Sequence, residues 1–226
     1  RQAMDEYAFH SHRKAIEAID SGAFKEEVVP VEISMKKGQT VLFDTDEPPR
    51  RDTNIEGLSK LKPAFQKDGM VTAGNAPGLS DGAAAVVVSS AERAIALGIK
   101  PIAKVIGYTQ AAVEPRYLFD APAHAIPKLI KKLGWRLQDV DLIELNEAFA
   151  AQTLANGYAL KDYGWDWDKV NVNGGAIALG HPIGASGAKI LTTLIYALKH
   201  RNLKRGIVAL CLGGAEAVAM GIELVD

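Results

Sequence analysis

The residues of this sequence best suited to chemistry lie in a glycine-rich stretch, residues 173–187, which reads Asn-Gly-Gly-Ala-Ile-Ala-Leu-Gly-His-Pro-Ile-Gly-Ala-Ser-Gly. Glycine is costly to hold in one conformation, so such a loop is typical of tight turns or of backbone that a ligand approaches closely. His181 lies between Gly180, which is free in φ, and Pro182, which fixes φ. We therefore predict a histidine on a shaped loop before a helix N-terminus, a place that favours anions and activated nucleophiles. The alternative is a turn whose histidine only caps or packs.

Two further stretches lie where predicted strands end, which is where open α/β folds place their ligands. Asn146 follows the strand 142–145 and opens a helix. It is therefore either a site residue or a helix cap whose side chain accepts from the first-turn amides. Cys211 ends an apolar strand and runs into Gly213 and Gly214. A lone cysteine in an apolar strand is usually a small core residue, but the two glycines would let a substrate approach this one closely.

The elements that must position these residues follow an α/β pattern from residue 102 onward. Apolar strands alternate with amphipathic helices, which is typical of a sheet covered on both faces. The predicted strands are 103–108, 142–145, 206–212 and 217–225, and the predicted helices are 123–133, 147–161 and 186–199. Because only residues 213–216 join the last two strands, we expect them to form an antiparallel hairpin.

The first hundred residues are less regular. The pattern predicts a helix over 1–21 closed by Gly22, an extended edge segment at 27–33, a polar irregular segment at 34–57, a short helix at 54–61, a buried apolar strand at 83–89 and a helix at 91–97. The first helix begins at Arg1 without a cap. We therefore expect the chain to be a fragment whose N-terminal part is missing.

Composition narrows the class of protein. The 226 residues are 48% hydrophobic with a formal net charge of −1, so the chain as a whole does not attract nucleic acid or an acidic membrane. No apolar run is long enough for a membrane span. The single cysteine excludes an internal disulfide and suits a reducing cytosol. We predict a cytoplasmic protein with no nucleic-acid partner, no membrane partner and no metal site.

Taken in order, the motifs resemble the thiolase family. The resemblance rests on Asn-Glu-Ala-Phe at 146–149, the glycine-histidine stretch at 173–187, Cys-x-Gly-Gly at 211–214 and Thr-Ala-Gly-Asn-Ala at 72–76. It implies a thiolase-like layered fold of two βαβαββ halves with an inserted lid. Residues 1–69 then correspond to part of the lid region, residues 70–101 to the end of the N-terminal half, and residues 102–226 to the complete C-terminal half.

The resemblance also implies an activity and roles for the site residues. Thiolases make or cleave 3-ketoacyl-CoA by Claisen chemistry, with coenzyme A and acyl-CoA as substrates rather than as permanently bound cofactors. His181 matches the base that activates the nucleophile, and Cys211 matches the acid/base at carbon. His181 with a water held by Asn146 would form one oxyanion hole, and the backbone N–H of Gly213 would contribute to the other. Glu147 is expected to support these residues without touching the substrate.

Contacts with coenzyme A are expected at Phe149, Pro77 and Arg50. At Pro77 the residue differs from that of many relatives, and Arg50 has an alternative interpretation. Phe149 belongs to the Asn-Glu-Ala-Phe motif, and Pro77 stands where many relatives have a serine that touches the pantetheine arm. Arg50, with Arg51, Lys60 and Lys62 nearby, is a candidate for the adenosine-phosphate end, or else part of a solvated run of charges.

Two further features do not belong to the predicted site. Ala215 stands where many relatives have a third glycine. His10 and His12 are two residues apart and so not on one helix face, and we expect both at the surface.

The match fails at one essential residue. The nucleophilic cysteine of the family lies in the first half, and the only cysteine here, Cys211, has the context of the acid/base residue. We therefore expect the isolated fragment to be inactive, with the missing N-terminal half as its partner and a homodimer or homotetramer as the assembly. The alternatives are a fatty-acid or polyketide condensing enzyme, in which histidine or asparagine usually replaces Cys211, and a non-catalytic thiolase-like lipid-transfer or scaffold protein.

Overall fold

The computed structural model describes residues 1–225 and contains seven helices and six strands within them, apart from short 3-10 turns. In chain order they are α1 (Gln2–Ser21), β1 (Val31–Ser34), β2 (Thr40–Phe43), α2 (Ile55–Ser59), α3 (Ala91–Ala96), β3 (Ala103–Ala112), α4 (Ala121–Leu133), β4 (Leu142–Leu145), α5 (Ala150–Ala159), α6 (Ala176–Leu179), α7 (Ser186–His200), β5 (Arg205–Leu212) and β6 (Glu216–Leu224). None of these helices combines the length and the apolar character needed to cross a membrane.

The central sheet has the strand order β3-β6-β5-β4. Strands β4 and β5 run parallel, whereas β5 with β6 and β6 with β3 run antiparallel. The predicted hairpin between the last two strands is confirmed, with Cys211 opposite Ala217. Helix α4 covers one face of the sheet and α7 covers the other, so alternate residues of β5 enter different cores: Ile207 packs below α4 and Val208 below α7.

Local signals account for most of the helix ends. Gly22 and Gly134 follow α1 and α4 in the left-handed region, with φ of 76° and 66°, and their N–H groups bond to the last carbonyls of the helix. Asn54 caps α2 and Ser90 caps α3 through their side-chain oxygens. The helices predicted from these residues are confirmed.

The predicted strand at 83–89 is wrong for the described residues. The segment pairs with no strand there, and Val87 and Val88 are 101% and 77% exposed. A strand is held by hydrogen bonds to a neighbour, and an apolar sequence cannot supply that neighbour by itself. Residues 34–57 are more ordered than expected, because β2 pairs antiparallel with β1 in an exposed hairpin.

Helix α1 docks on the elements that carry the glycine-rich stretch. Met4 and Ala8 pack against Ala150 and Ile177, and Ala15 packs against the end of α6. The approach is close at Gly174, where a Cβ would meet the carbonyl oxygen of Ser11 at 2.6 Å and where φ is 77°. Only glycine satisfies both conditions. The first helix of the chain therefore stabilises the region around the predicted site.

Candidate functional site

The site begins at the carboxyl ends of two parallel strands. Asn146 directly follows β4, and its backbone N–H donates to the carbonyl of Ala209 on β5 at 3.0 Å. Cys211 lies two residues beyond Ala209, at the end of the same strand. Because β4 and β5 are parallel, Asn146 and Cys211 leave the sheet at the same edge, as expected for a ligand site in an α/β fold.

Asn146 contacts His181, although 35 residues separate them in the chain. The Nδ2 atom of Asn146 lies 3.3 Å from the Nε2 atom of His181. The interpretation of Asn146 as a helix cap is wrong, because α5 begins only at Ala150 and its N-cap residue is Phe149. The side chain of Asn146 is almost fully buried, and its Oδ1 atom has no hydrogen-bond partner among residues 1–225. A buried acceptor beside an imidazole can hold a water or a substrate group.

The other ring nitrogen of His181 is held by Ser186, which the sequence analysis did not identify. The Oγ atom of Ser186 donates to the carbonyl of Pro182 at 2.9 Å and lies 2.6 Å from Nδ1 of His181. A hydroxyl has one hydrogen, so when Ser186 donates to Pro182 it accepts from Nδ1–H. In that arrangement the proton is on Nδ1 and Nε2 carries the lone pair. Its signal in the sequence was its place in the glycine-rich stretch 173–187, five residues after the histidine and at the start of α7.

The backbone of the histidine loop is fixed as well. Gly180 ends α6 with φ of 92°, and the N–H of His181 donates to Oγ of Ser80 at 3.2 Å. Beside this contact lies an open cleft of about 420 Å³, formed between residues 80–84 and residues 182–185. His181 is thus held at its backbone, at one ring nitrogen and beside Asn146.

The protonation of His181 and Cys211 follows from their surroundings. Burial lowers the pKa of His181 below its ordinary 6.5, and the positive charge of Lys189 lowers it further. Burial raises the pKa of Cys211 above its ordinary 9.0. Near neutral pH the imidazole is therefore neutral and can accept a proton, and the thiol keeps its proton and can donate it.

The turn after Cys211 has an unusual backbone. Gly214 and Ala215 both have positive φ, 91° and 64°, between the end of β5 and the start of β6. Ala215 is 1% exposed, and its carbonyl accepts from the N–H of Val113 at 2.9 Å. A Cβ placed on Gly213 would meet nothing within 4 Å, so the backbone there borders open space. Ala215 thus adopts a conformation that glycine enters at lower cost.

The residues predicted to contact coenzyme A fall into two places. Phe149 lies edge-on between Phe65 and Phe119, with ring centroids 6.2 and 5.3 Å away. Pro77 lies near it, because the loop that carries Pro77 accepts from the N–H of Ala150 through the carbonyl of Asn75. The three phenylalanines form an aromatic cluster at the start of α5.

The basic residues lie elsewhere, and most are engaged in surface ion pairs. The Arg50 side chain is exposed, 3.6 Å from Asp52. Its backbone N–H donates to Nδ1 of His12, and His12 is buried rather than at the surface as expected. Arg51 forms a two-pronged pair with Asp20, and Lys60 pairs with Glu56. Such exposed pairs contribute little to stability, so a phosphate could still compete for the cations.

Two family models match the chain. One is described as "Thiolase, N-terminal domain" and matches residues 1–92, and the other as "Thiolase, C-terminal domain" and matches residues 99–224. A curated acetyl-CoA acetyltransferase of Pseudomonas aeruginosa is 50% identical over 220 residues, which are 97% of this chain and 55% of the relative. An acetyl-CoA acetyltransferase of Syntrophomonas wolfei is 51% identical over 99% of this chain and 56% of its own length.

Solved structures agree with the sequence relatives. The chain is similar to the Bacillus anthracis acetyl-CoA acetyltransferase with a TM-score of 0.94 and 48% identity, over 100% of this chain and 56% of that one. It is similar to human mitochondrial 3-ketoacyl-CoA thiolase with a TM-score of 0.91 and 38% identity, over the same shares. The chain therefore spans about half the length of the relatives it matches.

Proposed function

Because this chain belongs to the thiolase family, we propose that the complete protein is an acetyl-CoA C-acyltransferase that makes and cleaves 3-ketoacyl-CoA. The thiolase-like fold expected from the motifs is confirmed, as is the expectation of a fragment. The domain boundaries at 69/70 and 101/102 remain part of the proposal. The observation that carries the function is the pair formed by Asn146 and His181, whose other ring nitrogen contacts Ser186, at the strand ends where Cys211 lies.

In the proposed acyl transfer, His181 acts as a base. Its Nε2 atom takes the proton from a cysteine thiol supplied by residues outside this chain. The resulting thiolate attacks the thioester carbonyl of an acyl-CoA, and the thiol of coenzyme A leaves with the proton. The lowered pKa of His181 supports this role, because the neutral form is the one that accepts a proton.

In the proposed carbon–carbon step, Cys211 exchanges a proton with the substrate carbon. In thiolysis the cysteine thiolate supplied from outside this chain adds to the β-carbonyl of the 3-ketoacyl-CoA. The bond between the α- and β-carbons then breaks, which leaves the acyl group on that cysteine, and the Cys211 thiol protonates the departing acetyl-CoA carbanion. In condensation the thiolate removes that proton again, and the carbanion attacks the acyl-enzyme. The raised pKa of Cys211 supports the donating direction, because the thiol keeps its proton until the carbanion forms.

The developing oxyanions need fixed donors. We propose that protonated His181 and a water on Asn146 stabilise one of them, and that the N–H of Gly213 contributes to stabilising the other. The buried Asn146 side chain and the open space beside Gly213 support these roles. Phe149 and Pro77 would contact the pantetheine arm, and Arg50 the adenosine phosphates, with CoA and acyl-CoA as substrates and no permanently bound cofactor.

The proposal extends to assembly. Apolar residues 79 and 86–88 are exposed in the described chain, which supports coverage by the first half of a complete thiolase. We propose that half as the partner, within a homodimer or homotetramer. We also keep the cytoplasmic location as a proposal, supported by the single cysteine.

Comparison of two purified proteins tests the function. The complete protein should form an acyl-enzyme from acetyl-CoA and turn over acetoacetyl-CoA. The 226-residue chain alone should do neither, because it contains no second cysteine. A complete protein that folds and binds acyl-CoA without turnover would favour the lipid-transfer or scaffold alternative. Robust thiolysis by the 226-residue chain, free of any second polypeptide, would contradict the assignment of Cys211.

A further inference from the structure

Glu147 is a buried carboxylate that carries four hydrogen bonds close to the site. It is 1% exposed, and it directly follows Asn146 in the chain. Its Oε1 atom accepts from the Tyr7 hydroxyl at 2.9 Å and from Nδ2 of Asn171 at 3.1 Å. Its Oε2 atom accepts from the Ser11 hydroxyl at 2.8 Å and from the backbone N–H of Ile177 at 3.0 Å.

These four donors come from three separate parts of the chain. Tyr7 and Ser11 are on α1, Asn171 is in the loop after α5, and Ile177 is in the first turn of α6. The Ser11 hydroxyl has given its hydrogen to Glu147, so it accepts from the backbone N–H of Gly175 at 3.1 Å. The carboxylate and Ser11 together satisfy two N–H groups at the start of α6.

The position of α6 matters because His181 follows its last residue by two positions. A helix of four residues has too few internal hydrogen bonds to fix its own orientation. Gly175 leaves room for the carboxylate, since a Cβ there would meet the Glu147 carboxyl carbon at 2.2 Å. The backbone of Glu147 is covalently joined to Asn146, and its side chain holds the helix that leads to His181.

Asn171 completes the connection on the strand side. It is buried with φ of 46°, accepts from the N–H of Leu145 at 2.9 Å and donates to the carbonyl of Leu145 at 2.8 Å. The same amide nitrogen reaches Glu147. The end of β4 is therefore tied to the carboxylate through Asn171, immediately before Asn146.

We propose that Glu147 is the positioning residue that sets the relative placement of Asn146 and His181. This inference rests on the proposed function, because it assigns the 3.3 Å pair a role in the reaction. Burial raises the pKa of Tyr7 well above its ordinary 10.0, and the Glu147 charge adds to this, so the tyrosine remains a donor. Glu147 is 1% exposed and its four hydrogen bonds all go to protein groups, so it acts through Asn146 and His181 and is not itself a catalytic residue.

Replacement of Glu147 by glutamine is the most informative change, because it keeps the shape and removes one acceptor. Whichever way the amide is turned, its NH₂ group faces either the N–H of Ile177 or the amide of Asn171. Either the first turn of α6 at Ile177 or the loop at Asn171 must then move away from residue 147. A displacement of about 1 Å at reacting groups can cost roughly a hundredfold in rate.

The test compares the complete enzyme with its Glu147→Gln variant. Active sites are counted by the burst of acyl-enzyme, and kcat and KM are measured on the counted sites. We expect kcat to fall roughly a hundredfold with KM changed by less than about twofold. Glu17→Gln on the exposed face of α1 is the matched control and should behave as wild type. A kcat within about twofold of wild type per counted site would overturn the inference.

Two further measurements keep the inference testable. If Glu147→Gln does not fold, the Ser11→Ala variant tests the inference instead. Its kcat should fall roughly tenfold, because the N–H of Gly175 loses its acceptor, and an unchanged kcat would overturn the inference. If the wild-type enzyme shows no turnover, the proposed function fails. Crystal structures of the wild type and the folded variant then decide: a wider separation between Asn146 and His181 supports the inference, and an unchanged separation overturns it.

Discussion

The Nδ1 atom of His181 lies 2.6 Å from the hydroxyl oxygen of Ser186, and that hydroxyl donates to the carbonyl of Pro182. When the serine hydrogen points to Pro182, the neutral imidazole carries its proton on Nδ1. The lone pair is then on Nε2, the atom that faces Asn146. Ser186, a residue of the glycine-rich stretch that was given no role from the sequence, thus contacts the ring nitrogen opposite the one that faces Asn146.

Ser186→Ala should therefore slow acylation of the complete enzyme. Without the hydroxyl, the imidazole can place its proton on either nitrogen, and its ring is less well oriented. We expect roughly a tenfold loss in the acylation rate, a fraction of what a positioned base contributes. Rapid-quench trapping of labelled acyl-enzyme measures this rate. Ser186→Thr retains the hydroxyl and serves as the control, and an acylation rate in Ser186→Ala equal to wild type would show that the tautomer is fixed by other contacts.

The roles of Cys211 and His181 should separate in the two half-reactions. Cys211→Ala should allow acylation by acetyl-CoA but stop condensation and thiolysis, because only the proton at carbon is affected. His181→Ala should impair both stages, since it removes a base and an oxyanion donor together. Each affected stage should slow by at least roughly a hundredfold. Full turnover by a folded Cys211→Ala variant would make Cys211 a core residue and the proposed mechanism wrong.

Glu27 should make stability depend on pH. Burial raises the pKa of Glu27 from 4.5 to about 7, against the opposing effects of a hydrogen bond to Thr193 and the charge of Lys189. Between these two values the folded chain keeps a proton that the unfolded chain has lost, so stability falls as pH rises through this window. Below the window the proton is bound in both states, and above it the penalty is fully present.

Glu27→Gln removes this penalty. Its melting temperature relative to the wild type should be higher at about pH 8 than at about pH 5. Thermal unfolding of both proteins at the two pH values is the measurement. Glu32→Gln, on the exposed strand β1, is the control and should show no such difference. An identical offset at both pH values would mean that Glu27 ionises normally in the folded chain.

Ala215→Gly should stabilise the protein. Ala215 has φ of 64°, where a side chain costs about 1–2 kcal/mol that glycine does not. Loss of the buried methyl group offsets about 0.8 kcal/mol of this gain, so we expect a net gain of about 0.5 kcal/mol in urea unfolding. Ala219→Gly, another fully buried alanine within β6, should instead destabilise. A loss of stability in both variants would show that packing outweighs backbone strain at Ala215.

The sequence predicted those parts of the molecule whose signals are local. Gly22 and Gly134 ended their helices as expected, and the apolar runs of β4, β5 and β6 formed the sheet. The segment 83–89 failed because a strand depends on a partner that its own residues do not specify. The interpretation of Asn146 as a helix cap was wrong for a related reason, because a capping residue is recognised only from its neighbours in the sequence.

The sequence predicted the residues of the candidate site, but not the contacts that hold them in place. His181, Asn146 and Cys211 were recognised from the residues around them. The contacts of Glu147 with Tyr7 and Ser11 join residues 140 and 136 positions apart, and no periodicity or spacing indicates such a pair. Ser186 was missed because a serine at a helix start has many ordinary uses. Only the positions of the side chains in the structure show that Glu147 and Ser186 hold the site residues.

The docking of α1 has a consequence for how the chain folds. The contact between Tyr7 and Glu147 closes a loop of 140 residues, and the entropy of closing it is lost before the contact can form. Helix α1 should therefore dock after the local helices and the β5–β6 hairpin have formed. The ring of Tyr7 on α1 lies edge-on to Trp167, with centroids 5.9 Å apart, so the fluorescence of Trp167 should change in the slowest refolding phase and Tyr7→Phe should slow that phase. Since the same helix holds Glu147, a newly made chain would acquire the geometry of the proposed site last, after most of its compact structure is already in place.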